Sequence, residues 1–156
     1  MSNVPLYATC SATLPQNSSV YSGQLKNATT TNRLAVASVR VSGRGVNTLT
    51  KPIRARLYRV LTASITEGTP TAGTVARRNV LDTIAITGVS TQSLTLSGTT
   101  VTSPELLDTG EFKPDGGSWT FTKGYYVDPA YSLLVLVDDT NNAADIAVST
   151  TFDIDM

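Results

Sequence analysis

Apolar and polar residues alternate with a period of two in several short segments of the chain. In residues 53–59 the apolar side chains alternate with Arg54 and Arg56, which predicts a strand with one buried and one basic face. Residues 146–154 show the same alternation. Residues 131–137 are apolar at nearly every position, as expected for a central strand covered on both faces. With no convincing 3.6-residue period anywhere, the pattern predicts an all-β protein.

In residues 33–41 the alternation slips by one residue near Ala37 and Ser38, which indicates a β-bulge. Seven to nine short strands separated by Gly, Pro and Asn turns are typical of a sandwich or jelly roll. We therefore predict a single jelly-roll-like β-sandwich over residues 23–156. Its other expected segments are strands at 80–87 and 92–97, a strand carrying Trp119 and Phe121, and a loop at 67–73.

Residues 1–22 are predicted to form an extended N-terminal arm. Pro5 and Pro15 break the segment, yet it is too apolar for a solvated tail. Such an arm would gain affinity by lying across a neighbouring subunit or particle, and the alternative is a short strand in the domain's own sheet. The arm residues expected to contact a partner are Val4, Leu6, Tyr7, Leu14, Val20 and Tyr21.

Composition supports the strand prediction and excludes several chemistries. The chain of 156 residues holds 25 Thr and 15 Ser, and β-branched Thr suits a pleated surface. It has no His, which removes His-based triads and His-ligated zinc. The single Cys10 cannot form an intrachain disulfide and is expected to be a small structural thiol. The apolar runs are too short for a membrane span, and no secretory leader is visible, so we expect a soluble protein that no recognisable leader exports.

Charge is unevenly distributed along the sequence. Residues 1–80 contain ten Lys or Arg and one acid, for a net charge of +9, whereas residues 81–156 contain two Lys and eleven acids, for −9. Interleaved strands would pair these charges internally. Alternatively, a bipolar surface would orient self-association or docking.

Each candidate catalytic or metal-binding group of acidic residues can also be explained by a purely structural role. Three Glu and nine Asp offer no pair recognisable as catalytic, and solvated turn acids are the simpler interpretation. Residues 138–145 carry enough oxygen ligands for Ca²⁺ but lack the EF-hand Gly and Glu, so Asx turns explain them equally well. No metal or other cofactor is expected.

Several basic and aromatic residues are candidate binding groups. Arg54, Arg56, Arg77 and Arg78 are candidate partner contacts, but neutral net charge and 6% aromatic content make nucleic acid an unexpected partner. A sugar platform of Trp119, Tyr125 and Tyr126 is the alternative to Trp119 filling the core with Phe121, while Tyr125 and Tyr126 face opposite sides.

Several short stretches carry a resemblance to a known family. They are Leu57-Tyr58-Arg59-Val60, Arg77-Arg78-Asn79, Trp119-Thr120-Phe121, residues 126–137 and residues 143–154. Their order resembles the small jelly-roll virion proteins of tailed bacteriophages, among them head decoration (cement) proteins. The likeness spans residues 20–154, except the Thr/Ser-rich segment 87–102.

The resemblance implies a non-enzymatic structural protein that is made in the host cytoplasm and stabilises the outer surface of a phage capsid. Its implied partners are copies of itself, as a homotrimer, and the major capsid protein. The alternative is a receptor- or glycan-binding module of a phage tail or fibre.

Overall fold

The computed structural model describes residues 5–46, 51–79, 86–140, 142 and 144–155. These residues contain no α-helix, and no helix among them is long and apolar enough to cross a membrane. A single 3-10 turn covers Thr62–Ser64. The strands are β1 Pro5–Leu14, β2 Ser19–Asn27, β3 Leu34–Arg44, β4 Ile53–Leu61, β5 Ile65–Thr66, β6 Pro70–Ala72, β7 Thr74–Arg77, β8 Val89–Leu94, β9 Thr100–Val101, β10 Glu105–Phe112, β11 Asp115–Phe121, β12 Tyr125–Val127, β13 Tyr131–Asp139 and β14 Ile146–Asp155.

Two antiparallel sheets form the sandwich. Sheet A has the order β11-β3-β14-β1-β7, and β12 also pairs with β3. Sheet B has the order β10-β4-β13-β2-β8-β6, and β5 pairs with β9 as a separate ribbon. Eight sequential pairs cross between the sheets: β1 to β2, β2 to β3, β3 to β4, β6 to β7, β7 to β8, β10 to β11, β12 to β13 and β13 to β14. The prediction of an all-β, jelly-roll-like sandwich is confirmed.

Alternation decides which side chains enter the core. Inward-facing residues of both sheets form one large buried cluster, with Phe121 and Phe152 among its largest members. A smaller cluster lies on the outer face of sheet B, where Ile65 of the β5–β9 ribbon covers Leu134. Strand β13 is therefore covered on both faces, as its apolar sequence predicted.

The bulge predicted in β3 is confirmed. Asp153 of β14 pairs with Ser38, and the next residue, Ile154, pairs with Val36, which leaves Ala37 as the extra residue. A second bulge occurs in β2, where Val135 pairs with Gly23 and Leu136 pairs with Tyr21.

The predicted N-terminal arm is wrong for the residues that the structure describes. Strand β1 pairs with β14 from Pro5 to Leu14 and with β7 from Leu6 to Thr9, so it is an internal strand of sheet A. The proposed boundary at residue 22 falls inside β2. The small apolar residues of β1 are buried between the sheets, and this burial fixes the segment in its own domain.

Two other segments differ from expectation. The predicted loop at 67–73 contains the short strand β6. The predicted strand at 92–97 begins earlier and ends at Leu94, because residues 95–99 form a turn. The strand predicted at 80–87 falls mainly on residues 80–85, which lie outside the described residues.

Candidate docking face on sheet B

The apolar residues expected to contact a partner are mostly in the core. Leu6, Leu14 and Val20 are buried between the sheets, where no partner can reach them. Val4 lies outside the described residues. These assignments were wrong because the segment pairs with its own sheet and its inward side chains fill the domain's interior.

Tyr7 and Arg78 form a local cluster on the outer face of sheet A. The guanidinium of Arg78 lies 5.4 Å from the centre of the Tyr7 ring. Its Nη1 lies 3.2 Å from Asp153 Oδ1 and its Nη2 lies 2.9 Å from Asp155 Oδ1. Arg77 is partly buried opposite Leu6. Because Arg78 is already bound by two carboxylates, this cluster holds the chain after β7 onto sheet A.

Three predicted contact residues, Tyr21, Arg54 and Arg56, lie together on the outer face of sheet B. Arg54, Arg56 and Tyr58 alternate with the buried core residues of β4, so all three point outward. Cross-strand pairing places Leu106 of β10 opposite Tyr58. We call these five residues, Tyr21, Arg54, Arg56, Tyr58 and Leu106, the sheet B face.

The edge strand β10 completes this face. Across from β4, Glu111 pairs with Arg54 and Thr109 pairs with Arg56, and the register shifts between Leu106 and Asp108. The bulge turns Leu107 toward the core, while Leu106 stays 53% exposed. An exposed leucine beside a tyrosine and two arginines is the residue mixture found at protein interfaces.

The two arginines of the sheet B face differ in their ion pairing. Arg56 Nη1 lies 3.7 Å from Asp138 Oδ2, whereas Arg54 has no ion-pair partner among the described residues. The hydroxyl of Ser19 donates to the other oxygen of Asp138. Burial raises the pKa of the Tyr21 phenol, with smaller contributions from Tyr58 and Asp138. Tyr21 is therefore a neutral hydrogen-bonding group at physiological pH.

Three side chains, those of Tyr125, Lys123 and Arg59, hold the β10 edge in place. The Tyr125 hydroxyl donates to Asp108 Oδ2 at 3.4 Å, and Lys123 Nζ lies 3.6 Å from the same oxygen. Burial raises the pKa of Tyr125, and the Asp108 carboxylate adds to the shift. Arg59 binds both oxygens of Glu105 and also donates to the Tyr126 carbonyl at 3.2 Å. The bulged end of β10 is thus held in one position.

The sugar platform suggested by the aromatic residues is not formed. Tyr125 is buried, and Tyr126 is 56% exposed on the opposite side, as the sequence predicted for this pair. Arg33 covers the Tyr126 ring at 5.1 Å. Trp119 is 38% exposed and not in the core, and it meets Phe121 edge to face. The three rings therefore share no common surface.

The opposite charges of the two sequence halves pair with each other through strand pairing. Five of the seven ion pairs among the described residues join a base from residues 1–80 to an acid from residues 81–156. Internal pairing, one of the two alternatives considered above, accounts for these arginines. Arg40, Arg44 and Arg54 are outside these pairs.

The acids that could serve catalysis or metal binding have structural roles. Lys26 pairs with Glu67, and Arg59 pairs with Glu105. Asp139 Oδ1 accepts hydrogen bonds from the backbone N–H and the side chain of Asn142. This Asx geometry explains the acidic run that had suggested calcium. The described part of the chain contains no group of three or more Cys, Asp or Glu residues that could hold a metal ion.

Sequence reasoning missed Leu106 as a member of the sheet B face, and it missed Thr109 and Glu111 as the β10 neighbours of its arginines. The signal was present but weak: the bulge interrupts the alternation of β10, so Leu106 and Leu107 read as a buried pair. Only the pairing with β4 shows which leucine faces outward.

No protein-family model and no curated protein matches the chain. Among solved structures it is similar to Desmodium yellow mottle tymovirus, with 11% identity, TM-score 0.33, and coverage of 99% of this chain and 86% of that chain. It is also similar to a CocE/NonD family hydrolase from Staphylococcus aureus, with 9% identity, TM-score 0.26, and coverage of 99% and 33%.

A third similar structure is infectious bursal disease virus, Gx strain, with 7% identity, TM-score 0.18, and coverage of 96% of this chain and 40% of that chain. At these TM-scores the likenesses carry no functional argument.

Proposed function

We propose that the chain is a non-enzymatic structural protein of a bacteriophage virion that decorates and stabilises the capsid surface. The resemblance of its sequence motifs to phage head decoration proteins supports this role. In this proposal, the sheet B face contacts the major capsid protein, and copies of the chain associate as a homotrimer on the outside of the head.

The observation that carries the proposal is the composition of the sheet B face. Arg54 has no ion-pair partner among the described residues, and the apolar side chain of Leu106 is exposed one strand away. Arginine and tyrosine contribute disproportionately to binding energy because they combine apolar area with directed hydrogen bonds. A rigid strand pair presents them without the entropic cost of ordering a loop.

The position of the face also suits attachment to a larger surface. Strand β10 pairs with β4 alone among the described strands, so it forms one edge of sheet B. A neighbouring subunit can approach this edge and the adjoining part of the outer face together. The alternative, a receptor- or glycan-binding module of a tail or fibre, loses the aromatic platform on which it depended.

The test is co-sedimentation of the purified protein with empty capsids assembled from the major capsid protein of the same virion. We expect wild type to bind and to raise the capsid melting temperature. Leu106→Asp and Arg54→Glu should each weaken binding at least about tenfold. The matched controls are Leu96→Asp and Lys51→Glu, which make the same apolar-to-acid and base-to-acid changes at exposed positions outside the sheet B face.

Two results would contradict the proposal. If wild type never co-sediments with capsids, the decoration role is wrong. If the two sheet B variants bind as tightly as their controls, docking uses another surface.

A further inference from the structure

The outer face of sheet A carries an open groove of about 820 Å³. Its floor is formed by β3, β14 and β1, which contribute Arg40, Arg44, Ser149 and Ser11. Its wall is formed by β6, β8 and the adjoining loops, and Thr71 is one of the wall residues. The wall strands β6 and β8 belong to sheet B, but none of the five residues of the sheet B face lines the groove.

Strand register arranges the floor as rows of polar side chains. Arg40, Ser42 and Arg44 alternate along β3 and point outward. The row through Ser42 continues to Ser149 and Ser11 on the next two strands, and the hydroxyls of Ser42 and Ser149 are 2.9 Å apart. In total, eight of the seventeen lining residues are Ser or Thr.

The two arginines of the floor are available for a ligand. Neither Arg40 nor Arg44 takes part in an ion pair among the described residues. Asp115 is the cross-strand neighbour of Arg44 and lies at the rim, but no acid lines the groove within the described chain. Guanidinium groups bind carboxylate and sulfate through paired hydrogen bonds.

The distance between Arg40 and Arg44 favours a ligand with several anionic groups over a single small anion. Four residues along a strand separate their Cα atoms by roughly 13 Å. A single small anion could bind both guanidinium groups only if the two side chains bent toward each other over Ser42. A chain with repeated anionic groups can bind each arginine in its present position. Single-stranded nucleic acid is disfavoured because no aromatic side chain lines the groove to stack on a base.

We propose that this groove binds an acidic oligosaccharide. Its carboxylate or sulfate groups pair with Arg40 and Arg44, and its hydroxyls exchange hydrogen bonds with the Ser and Thr side chains. The inference is independent of the proposed decoration role, because it uses none of the five residues of the sheet B face.

The test is isothermal titration of the full chain with a hyaluronan oligosaccharide and with a sulfated heparin oligosaccharide. Neutral chito-oligosaccharide and oligothymidylate serve as the comparison ligands. We expect saturable binding to at least one acidic sugar and none to the neutral one. Arg40→Gln and Arg44→Gln should each lower the affinity about tenfold, since each removes charged hydrogen bonds.

Two further variants make the result specific. Lys51→Gln removes one positive charge outside the groove and should bind as wild type does. Ser149→Glu adds a repelling carboxylate to the floor while keeping both arginines, so it should also weaken binding. Unchanged melting temperatures would show that the variants are folded.

The proposal is overturned if neither acidic sugar binds, or if the two arginine variants bind as wild type does. It is also overturned if oligothymidylate binds as tightly as the sugars, because the surface would then be a general polyanion site.

Discussion

The indole ring of Trp119 lies directly against the backbone of Gly110, so closely that a Cβ at Gly110 would be 2.2 Å from Cε2 and Nε1 of the ring. Gly110 belongs to the edge strand of sheet B, and Trp119 belongs to the edge strand of sheet A. The pair therefore closes one side of the sandwich. It requires glycine at position 110 because any side chain there would displace the indole.

Gly110→Ala is expected to destabilise the protein by about 1–3 kcal/mol, because overpacking forces the ring to move. Urea unfolding gives the free energy, and tryptophan fluorescence should shift to longer wavelength as the single Trp becomes more exposed. In a Trp119→Ala background the same change should cost much less. An equal cost in both backgrounds would show that the ring is not the obstacle.

Gly23→Ala should destabilise the interior of the sandwich by about 1–3 kcal/mol. An added Cβ would lie 2.8 Å from Cγ2 of Thr150 and 3.1 Å from the Cys10 sulfur. Thr150→Ser removes the nearest methyl group and keeps the hydroxyl that donates to Ser22 Oγ. Thr150→Ser should therefore restore part of the free energy of unfolding that Gly23→Ala removes, as measured by thermal and urea unfolding. Additive effects of the two changes would argue against this contact.

Deletion of residues 1–15 should abolish cooperative folding, because it removes an internal strand of sheet A. Circular dichroism and the loss of a thermal transition provide the measurement. At single residues, Leu6→Ala should cost about 2–5 kcal/mol and Tyr7→Ala about 1 kcal/mol or less, since only Leu6 is fully buried. A truncated chain that still unfolds cooperatively would restore the arm interpretation.

Stability should fall as pH rises above the ordinary titration range of cysteine and tyrosine. Burial raises the pKa of Cys10 above its ordinary value of 9.0. Burial likewise raises the pKa values of Tyr21 and Tyr125 above their ordinary value of 10.0. A raised folded-state pKa means that the unfolded chain loses its protons first. The stabilisation is therefore complete below the ordinary value and is lost as pH rises through the folded value.

Urea unfolding between about pH 8 and pH 11 should show this loss of stability. Cys10→Ala should flatten the first part of the decline, while Tyr21→Phe and Tyr125→Phe should flatten the later part. Identical pH profiles for wild type and all three variants would contradict this assignment.

The sequence predicted those strands whose hydrophobic residues are large and alternate regularly. Regular alternation predicted β4 and β14, a continuous apolar run predicted β13, and a slip in the alternation located the bulge at Ala37. Periodicity works here because a buried face requires apolar side chains at every second position.

Strand β1 was missed for two physical reasons. Its inward residues include Ala8 and Cys10, which give a weak hydrophobic signal although both are buried. Its prolines suggested breaks, but Pro5 is the first residue of the strand and Pro15 follows its end, positions where proline is compatible with a sheet. The sheet B face also could not be derived, because it depends on which strands become neighbours.

The pairing order has a consequence for the nascent chain on the ribosome. Strand β14 lies between β1 and β3, and β13 lies between β2 and β4. Until these two late strands are synthesised, each sheet consists of two separate parts with the middle strand missing. Strands β1, β2 and β3 therefore stay unpaired along those edges until partners more than a hundred residues away in sequence are made. The partner of β4 is 70 to 86 residues away. The sheets consequently close only after β14 has been synthesised. Their folding is slow, as for other domains dominated by long-range pairing, and the unpaired edges are exposed to chaperones during that interval.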